Sequence, residues 1–334
     1  MTLHKTAAFA ALAILAASAA QAQQEKPYNM YIGYSAGGGY DVYGRLVARH
    51  MGKHLPGKPN VIVNNMPGAG SLRLSNWLYN VAPKDGTVMG TVARGIAFDS
   101  LFGMPGASFD STKFNWIGSA NDEVSVCVAW HTSGVTKFEE TLKKELVVGG
   151  TGGSADTDQF PRVFNAVLGS KFKIVAGYPG GNDINLAMER GEVQGRCGWS
   201  WSSVKSTQAK WLEEKKISVL VQLSLNKHED MPNVPLIMEQ AKTPEEAAIF
   251  KLVFARQVMG RPFLAPPGVP AAQVAVLRKA FMDTMKDKEF LAEADKAQLE
   301  ITPVTGDAVQ QVVAEAYAMP ADIIKKTADI LKEK

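Results

Sequence analysis

The sequence predicts an α/β protein of two lobes, each a mostly parallel sheet flanked by helices, with a ligand cleft between them. Three observations carry this. An alternation of strand and helix patterns occurs twice, a glycine cluster follows the first strand of each round, and the chain is long. At 334 residues it exceeds the size, roughly 250–300 residues, at which one hydrophobic core stops growing. With 46% hydrophobic residues it has material for two cores.

The first round opens with a strand over residues 29–34. A helix follows over 41–55, where Val42, Tyr43, Leu46, Val47 and Met51 recur at helical spacing until Pro56-Gly57 stops them. A strand over 60–63, a helix over 71–81 and a strand over 88–92 complete a βαβαβ order, which demands parallel pairing. The second round reads as a strand over 145–148, a helix over 155–168 with Phe160, Val163, Phe164 and Val167 inward, a strand over 172–175, a helix over 183–190 and a strand over 193–197. Between the rounds, 124–128 passes from one lobe to the other. A second passage is expected near 218–223 and a third at 252–259. Four prolines between Pro262 and Pro270 then precede helices over 271–286, 288–297 and 307–332. The lobes are therefore expected over 23–124 with 224–334, and over 125–223. Repeated crossings make a hinge, and a hinge makes a cleft.

Residues 1–22 read as a secretory signal, with Lys5, an apolar stretch over 7–19 and Ala20-Gln21-Ala22 before Gln23. That stretch is too short for a membrane span of ~20 residues. The formal charge of +3, or +2 without Lys5, is too small and dispersed for a nucleic-acid partner. A monomer is expected. Cys127 and Cys197, the two cysteines, are either a disulfide of an oxidising compartment or two buried thiols.

The glycine clusters are the most informative feature. Ser35-Ala36-Gly37-Gly38-Gly39-Tyr40-Asp41 and Gly149-Gly150-Thr151-Gly152-Gly153-Ser154-Ala155-Asp156 both lie at the carboxyl end of a strand. Ligands of parallel sheets sit outside those ends, glycine lets backbone N–H groups approach an anion, and the next helix adds partial positive charge. Tyr178-Pro179-Gly180-Gly181-Asn182 and Pro67-Gly68-Ala69-Gly70 are two further loops of this kind. Each alone is also an ordinary tight turn. Neither main cluster fits a nucleotide motif, since Tyr40-Asp41 and Ser154-Ala155 stand where a P-loop needs Lys-Ser/Thr. Asp41 and Asp156 are expected to cap the helices they begin.

Arg94 follows the strand over 88–92 and Arg196 is its counterpart in the second lobe. Each is placed either to grip a carboxylate or to form an ordinary salt bridge. Trp199 and Trp201 share a face if the strand continues through them, as a cleft wall or as core. A wall would favour an aromatic or longer-chain acid. His50 and His54 are spaced i, i+4 but lack a third ligand, so no metal is expected. No nucleophile elbow or Cys-His motif appears, no cofactor is expected, and Ser154 has no base nearby in sequence.

Taken in order, Ala36-Gly37-Gly38-Gly39-Tyr40-Asp41 with Arg45, Asn64-Asn65-Met66-Pro67-Gly68-Ala69-Gly70, Pro83-Lys84-Asp85-Gly86-Thr87, Gly177-Tyr178-Pro179-Gly180-Gly181, Gly191-Glu192-Val193 and Ala265-Pro266-Pro267-Gly268-Val269-Pro270 resemble the Bug receptors, the periplasmic solute-binding proteins of tripartite tricarboxylate transporters. The resemblance spans the mature chain. It implies a type II periplasmic binding fold and capture of a small carboxylate by backbone amides and ordered water, followed by hinge closure. The transmembrane permease subunits of such a transporter are the implied partner, with a membrane-bound sensor as the alternative. The expected ligand set is Ser35, Ala36, Gly37, Gly38, Gly39, Tyr40, Asp41, Arg94, Thr151, Gly153, Ser154, Asp156, Tyr178, Gly180, Arg196 and Trp199. The chain departs from the family in having Ser35 where Pro is usual, Gln194 where Asp is usual, and the run from Arg196 to Ser202.

Overall fold

The computed structural model describes residues 26–332; the predicted signal segment lies outside them. The first round contains β1 (Tyr28–Ile32), α1 (Gly39–Met51), β2 (Val61–Asn65), α2 (Leu72–Asn80), β3 (Val88–Thr91), α3 (Ile96–Phe102) and β4 (Asn115–Ser119). The second contains β5 (Ser125–Trp130), β6 (Leu146–Gly149), α4 (Asp156–Leu168), β7 (Phe172–Val175), α5 (Gly181–Glu189), β8 (Gly195–Ser200), α6 (Trp201–Glu213) and β9 (Ile217–Leu223). The chain ends with α7 (Pro244–Phe254), β10 (Pro262–Ala265), α8 (Ala271–Thr284), α9 (Lys288–Lys296), β11 (Val304–Thr305), α10 (Gly306–Tyr317) and α11 (Ala321–Lys332).

The strands form two sheets, ordered β11-β4-β10-β3-β1-β2 and β7-β6-β8-β5-β9. The βαβ repeats pair in parallel, β1 with β2 and β3, and β6 with β7 and β8. Both sheets are nonetheless mixed. β5 runs antiparallel to β8 and β9, and β10 antiparallel to β3 and β4. These reversed strands are the ones by which the chain first enters a sheet after crossing from the other, a step that sequence periodicity does not report.

Among the described residues the chain crosses between sheets twice, after β4 and after β9. The expected third passage at 252–259 is the end of α7 and the 3-10 turn Ala255–Met259, so it belongs to the return crossing. The two connections are bonded to each other: Glu123 N–H donates to Gln257 O (2.8 Å), Gly260 N–H to Asn121 O (2.9 Å) and Ala120 N–H to Arg261 O (3.1 Å). The expected single helix over 307–332 is also two. Pro320 follows α10 and precedes α11, and its missing N–H and fixed φ break a continuous helix.

The core follows from the periodicity. α4 buries Phe160, Val163 and Phe164, and α7 packs against it through Phe160–Phe254 rings 4.9 Å apart. Cys127 of β5 and Cys197 of β8 are bonded, which resolves the open choice between disulfide and free thiols. No helix among the described residues is long and apolar enough to cross a membrane.

Candidate functional site

The loop after β1 and the loop after β6 face one another across a cavity of about 40 Å³. From the first sheet come Tyr34, Gly38, Gly39, Tyr40, Ala93 and Arg94. From the second come Thr151, Ala155, Asp156, Thr157, Gly181, Arg196, Gly198, Ser200 and Ser203, with Arg261 reaching in from the hinge.

Three helices begin at this cavity. The residues before their first turns are Gly38 for α1, Ala155 for α4 and Gly180 for α5, and none supplies a side-chain cap. First-turn amides of a helix have no partner within it, and together with the helix dipole they make an anion site. Close approach requires glycine here: a Cβ on Gly39 would lie 1.9 Å from Ser203 Oγ in the facing lobe.

Asp41 and Asp156 therefore do not cap. Asp41 Oδ2 accepts from Gly37 N–H (2.9 Å) and pairs with Arg45 (2.9 Å), while Oδ1 accepts from Asn65 (2.8 Å). Burial works to raise its carboxyl, but these bonds outweigh it and hold the pKa below its ordinary value. Its role is to fix the glycine loop. Asp156 instead pairs with Arg94 Nε at 2.9 Å and Arg256 Nη1 at 3.5 Å.

Four guanidinium groups lie in or behind the cavity, and their partners differ. Arg94, 1% exposed, also donates to Gln257 Oε1 (2.5 Å) and to Ser200 Oγ across the cleft (2.6 Å). Arg261 donates to Ser200 Oγ (2.8 Å) and Ser203 Oγ (2.7 Å) and lies 3.4 Å from Glu123. Arg256 stands behind the cavity, bonded to Gln159 and facing the Phe98 and Phe160 rings. Arg196 alone of the four has no carboxylate partner among the described residues. It donates to Gly181 O and Asn185 Oδ1, both at 3.1 Å, and lies 4.6 Å over the Trp199 ring. Its buried Nε has no hydrogen-bond partner. Burial lowers its pKa to about 9, which leaves it charged at neutral pH. The site thus carries excess positive charge.

Asp99, fully buried behind Arg256, bears on the pH response. Burial raises its pKa from 3.8 to about 7, only partly offset by the nearby polar side chains and the charge of Arg256. The folded protein then keeps a proton that the unfolded chain releases. The associated stabilisation is complete below about pH 4 and disappears as pH rises through about 7. Asp99→Asn is expected to remove this slope. Comparing denaturant unfolding of wild type and variant from pH 4 to 8 should show their stability difference change by several kcal/mol, at about 1.4 kcal/mol per pKa unit; parallel curves would exclude titration of Asp99.

Of the residues expected at the site, Gly38, Gly39, Tyr40, Arg94, Thr151, Asp156 and Arg196 line the cavity. Ser35, Ala36 and Gly180 are not among the lining residues and lie where the loops after β1 and β7 meet. There Ser35 Oγ donates to Asp183 Oδ2 (2.6 Å) and Asn182 Oδ1 (3.1 Å), Ser35 N–H donates to Pro179 O (3.3 Å), and Asn182 Nδ2 donates to Ala36 O (2.9 Å). Gly37 and Asp41 shape the first loop. Gly153 O accepts from Gln159 and Tyr178 N–H donates to Gly150 O, so both hold backbone rather than line the cavity. Ser154 is 2% exposed and faces Asp99. The Pro67–Gly70 loop packs on the second main loop, where a Cβ on Gly70 would lie 2.8 Å from Ala155 N.

Two expectations are corrected. Trp199 is 1% exposed and packs edge-on against Trp211, centroids 6.1 Å apart, within the second lobe. Trp201 begins α6 and donates Nε1–H to Asp230 (2.8 Å). The strand ends at Ser200, so the two indoles are not a shared wall and the argument for an aromatic acid lapses. The sequence reading missed Tyr34, Gly181, Ser200, Ser203 and Arg261. Tyr34 lay inside a predicted strand and Arg261 beside a proline-rich stretch, while the serines lay beyond the strand predicted over 193–197.

Histidine and carboxylate ligand atoms come within 4.8 Å of one another in two clusters, His50-Asp287-Glu289 and His228-Asp230-Glu300. In each a lysine already answers the negative charge, Lys53 2.6 Å from Glu289 and Lys205 2.5 Å from Glu300. His54 pairs with Asp287 at 2.9 Å and His50 with Glu293 at 2.7 Å, so these histidines do not share one partner.

No family model matches the chain. A curated protein of Cupriavidus necator, described as "UPF0065 protein in gbd 5'region", is 27% identical over 337 residues, covering 96% of this chain and 93% of its own. Among solved structures, the periplasmic binding protein BugD superposes with a TM-score of 0.73 at 19% identity, covering 91% of this chain and 98% of BugD. MatC of Rhodopseudomonas palustris, solved with bound malate, gives 0.71 at 17% identity, covering 92% and 99%.

Proposed function

Starting from a chain that has the fold of the Bug periplasmic binding proteins, we propose that it is an extracytoplasmic receptor for a small carboxylate, exported to the periplasm. The single observation that supports this best is the meeting of three uncapped helix starts and an arginine without a carboxylate partner around one cavity. One ligand carboxylate accepts from the first-turn amides of α1 and α4, and a second negative charge pairs with Arg196. Ser200, Ser203 and Thr151 offer hydroxyls to whatever polar groups the ligand carries.

The lobes in this reading are 23–124 with 224–334, and 125–223, moving about the paired connections. Closure excludes water, and donors aimed at an anion are stronger in the lower dielectric that results. The receptor then presents the closed form to the permease subunits of a tripartite tricarboxylate transporter. A hydrolase reading finds no support, because Ser154 is buried against Asp99 and does not line the cavity.

Calorimetric titration with malate, succinate, citrate and benzoate tests the proposal. A dicarboxylate should bind while benzoate does not, since the lining is polar and Trp199 faces the core. Absence of heat from all the acids would sink the receptor reading.

A further inference from the structure

β5 and β8 are out of step at one point. Ser125 faces Ser200 and Val126 faces Trp199, but Val128 faces Arg196 and Ala129 faces Gly195. Cys127 therefore stands opposite two residues, Cys197 and Gly198. This is a β-bulge, with one extra residue on β8. Gly198 supplies the conformation it needs, with φ +64°, and a Cβ there would lie 2.6 Å from the Asp156 carbonyl carbon.

The bulge changes which side chains share a face. Strand residues alternate, so positions 196 and 199, three apart, belong on opposite faces of a regular strand. Here both face the α5–α6 side: Arg196 donates to Asn185 of α5 and lies over the Trp199 ring, which packs on Trp211 of α6. The extra residue thus aims Arg196 toward the cavity. Ser200, just beyond it, accepts from both Arg94 and Arg261.

A one-residue shift would exchange the faces of all the residues beyond it, and β5 carries a second offset beside Cys127, where Cys127 faces Val221 but Val128 faces Val219. The disulfide sits at this irregular point, fully buried on the opposite side of the sheet from Arg196. We propose that the Cys127–Cys197 bond is a positioning device that pins the bulge and thereby holds Arg196 and Ser200 in register with the ligand cavity. The inference rests on the receptor reading. Cys127 and Cys197 touch no ligand and act through their neighbours.

The test compares wild type, Cys127→Ala/Cys197→Ala, Arg196→Ala and the triple variant by calorimetry with malate, succinate and citrate, below the melting point of each protein. Loss of the disulfide should weaken binding about as much as Arg196→Ala does, at least thirtyfold. A general loss of stability would leave the Arg196→Ala penalty intact, whereas the proposal requires that penalty to shrink to less than threefold in the disulfide-free background. If the alanine pair does not fold, Cys127→Val/Cys197→Ala, which restores volume between the strands, takes its place. Binding within twofold of wild type, or an undiminished Arg196→Ala penalty, would overturn the positioning role alone. If wild type binds none of the three acids, the receptor reading falls first and the positioning role with it.

Discussion

Arg196→Ala is expected to weaken dicarboxylate binding a hundredfold or more while leaving the folded protein as stable as before, or slightly more so. The asymmetry follows from its partners. Arg196 holds a peptide carbonyl and an amide oxygen but no carboxylate, so the folded protein carries the cost of a desolvated cation without the return of an ion pair. A ligand carboxylate supplies that return. Truncating one side of such a contact costs about 2–5 kcal/mol, and a hundredfold corresponds to about 2.7 kcal/mol. Calorimetry against the tightest acid of the panel, with thermal unfolding in parallel, measures both halves. Full affinity in the variant would remove Arg196 from the site, and a collapse in melting temperature would make its role structural.

Arg94→Ala should behave in the opposite way, with stability suffering first. Its Nε lies 2.9 Å from Asp156, and its other nitrogens serve Gln257 and Ser200. Removal strips a buried carboxylate of its nearer cation and leaves only Arg256 at 3.5 Å. Breaking a buried pair from one side typically costs about 3–5 kcal/mol. A loss of unfolding free energy of that order is expected, together with a smaller loss of affinity than Arg196→Ala causes, because Arg94 is already answered within the protein. An unchanged midpoint would mean that Arg256 alone satisfies Asp156. The two arginines looked equivalent in sequence, each just after or within a strand of its lobe. Only the tertiary arrangement separates the one that is answered within the protein from the one that is not.

That contrast shows where sequence reasoning ran out. The apolar spacing of Val42, Leu46, Val47 and Met51 was enough to place α1, and the glycine run before it was enough to mark a turn that lines the cavity, because both are local consequences of helix geometry. β4 and β10 were not legible, since a short buried strand and a proline-punctuated stretch carry no periodicity. The reversal of β5 and β10 was hidden for the same reason: antiparallel insertion is decided by where the crossings lead. Trp199 was misplaced because its face depends on the bulge at Gly198, and a strand that alternates on paper gives no sign of an extra residue. Asp41 and Asp156 were expected to cap because acidic residues at helix starts usually do; Arg45, one turn on along α1, claims Asp41, and Arg94 and Arg256, far away in sequence, claim Asp156.

Where the loops after β1 and β7 meet, the hydroxyl and N–H of Ser35 reach directly across to Asp183 and to Pro179 O. A proline at that position would have neither donor. The two sheets' loops therefore hold each other here independently of what lies between them, and in the proposed receptor a solute waits for this seam to part. Binding to it is then expected to have a speed limit of its own: at high solute concentration the rate levels off at the frequency with which the seam opens, instead of climbing with every further collision.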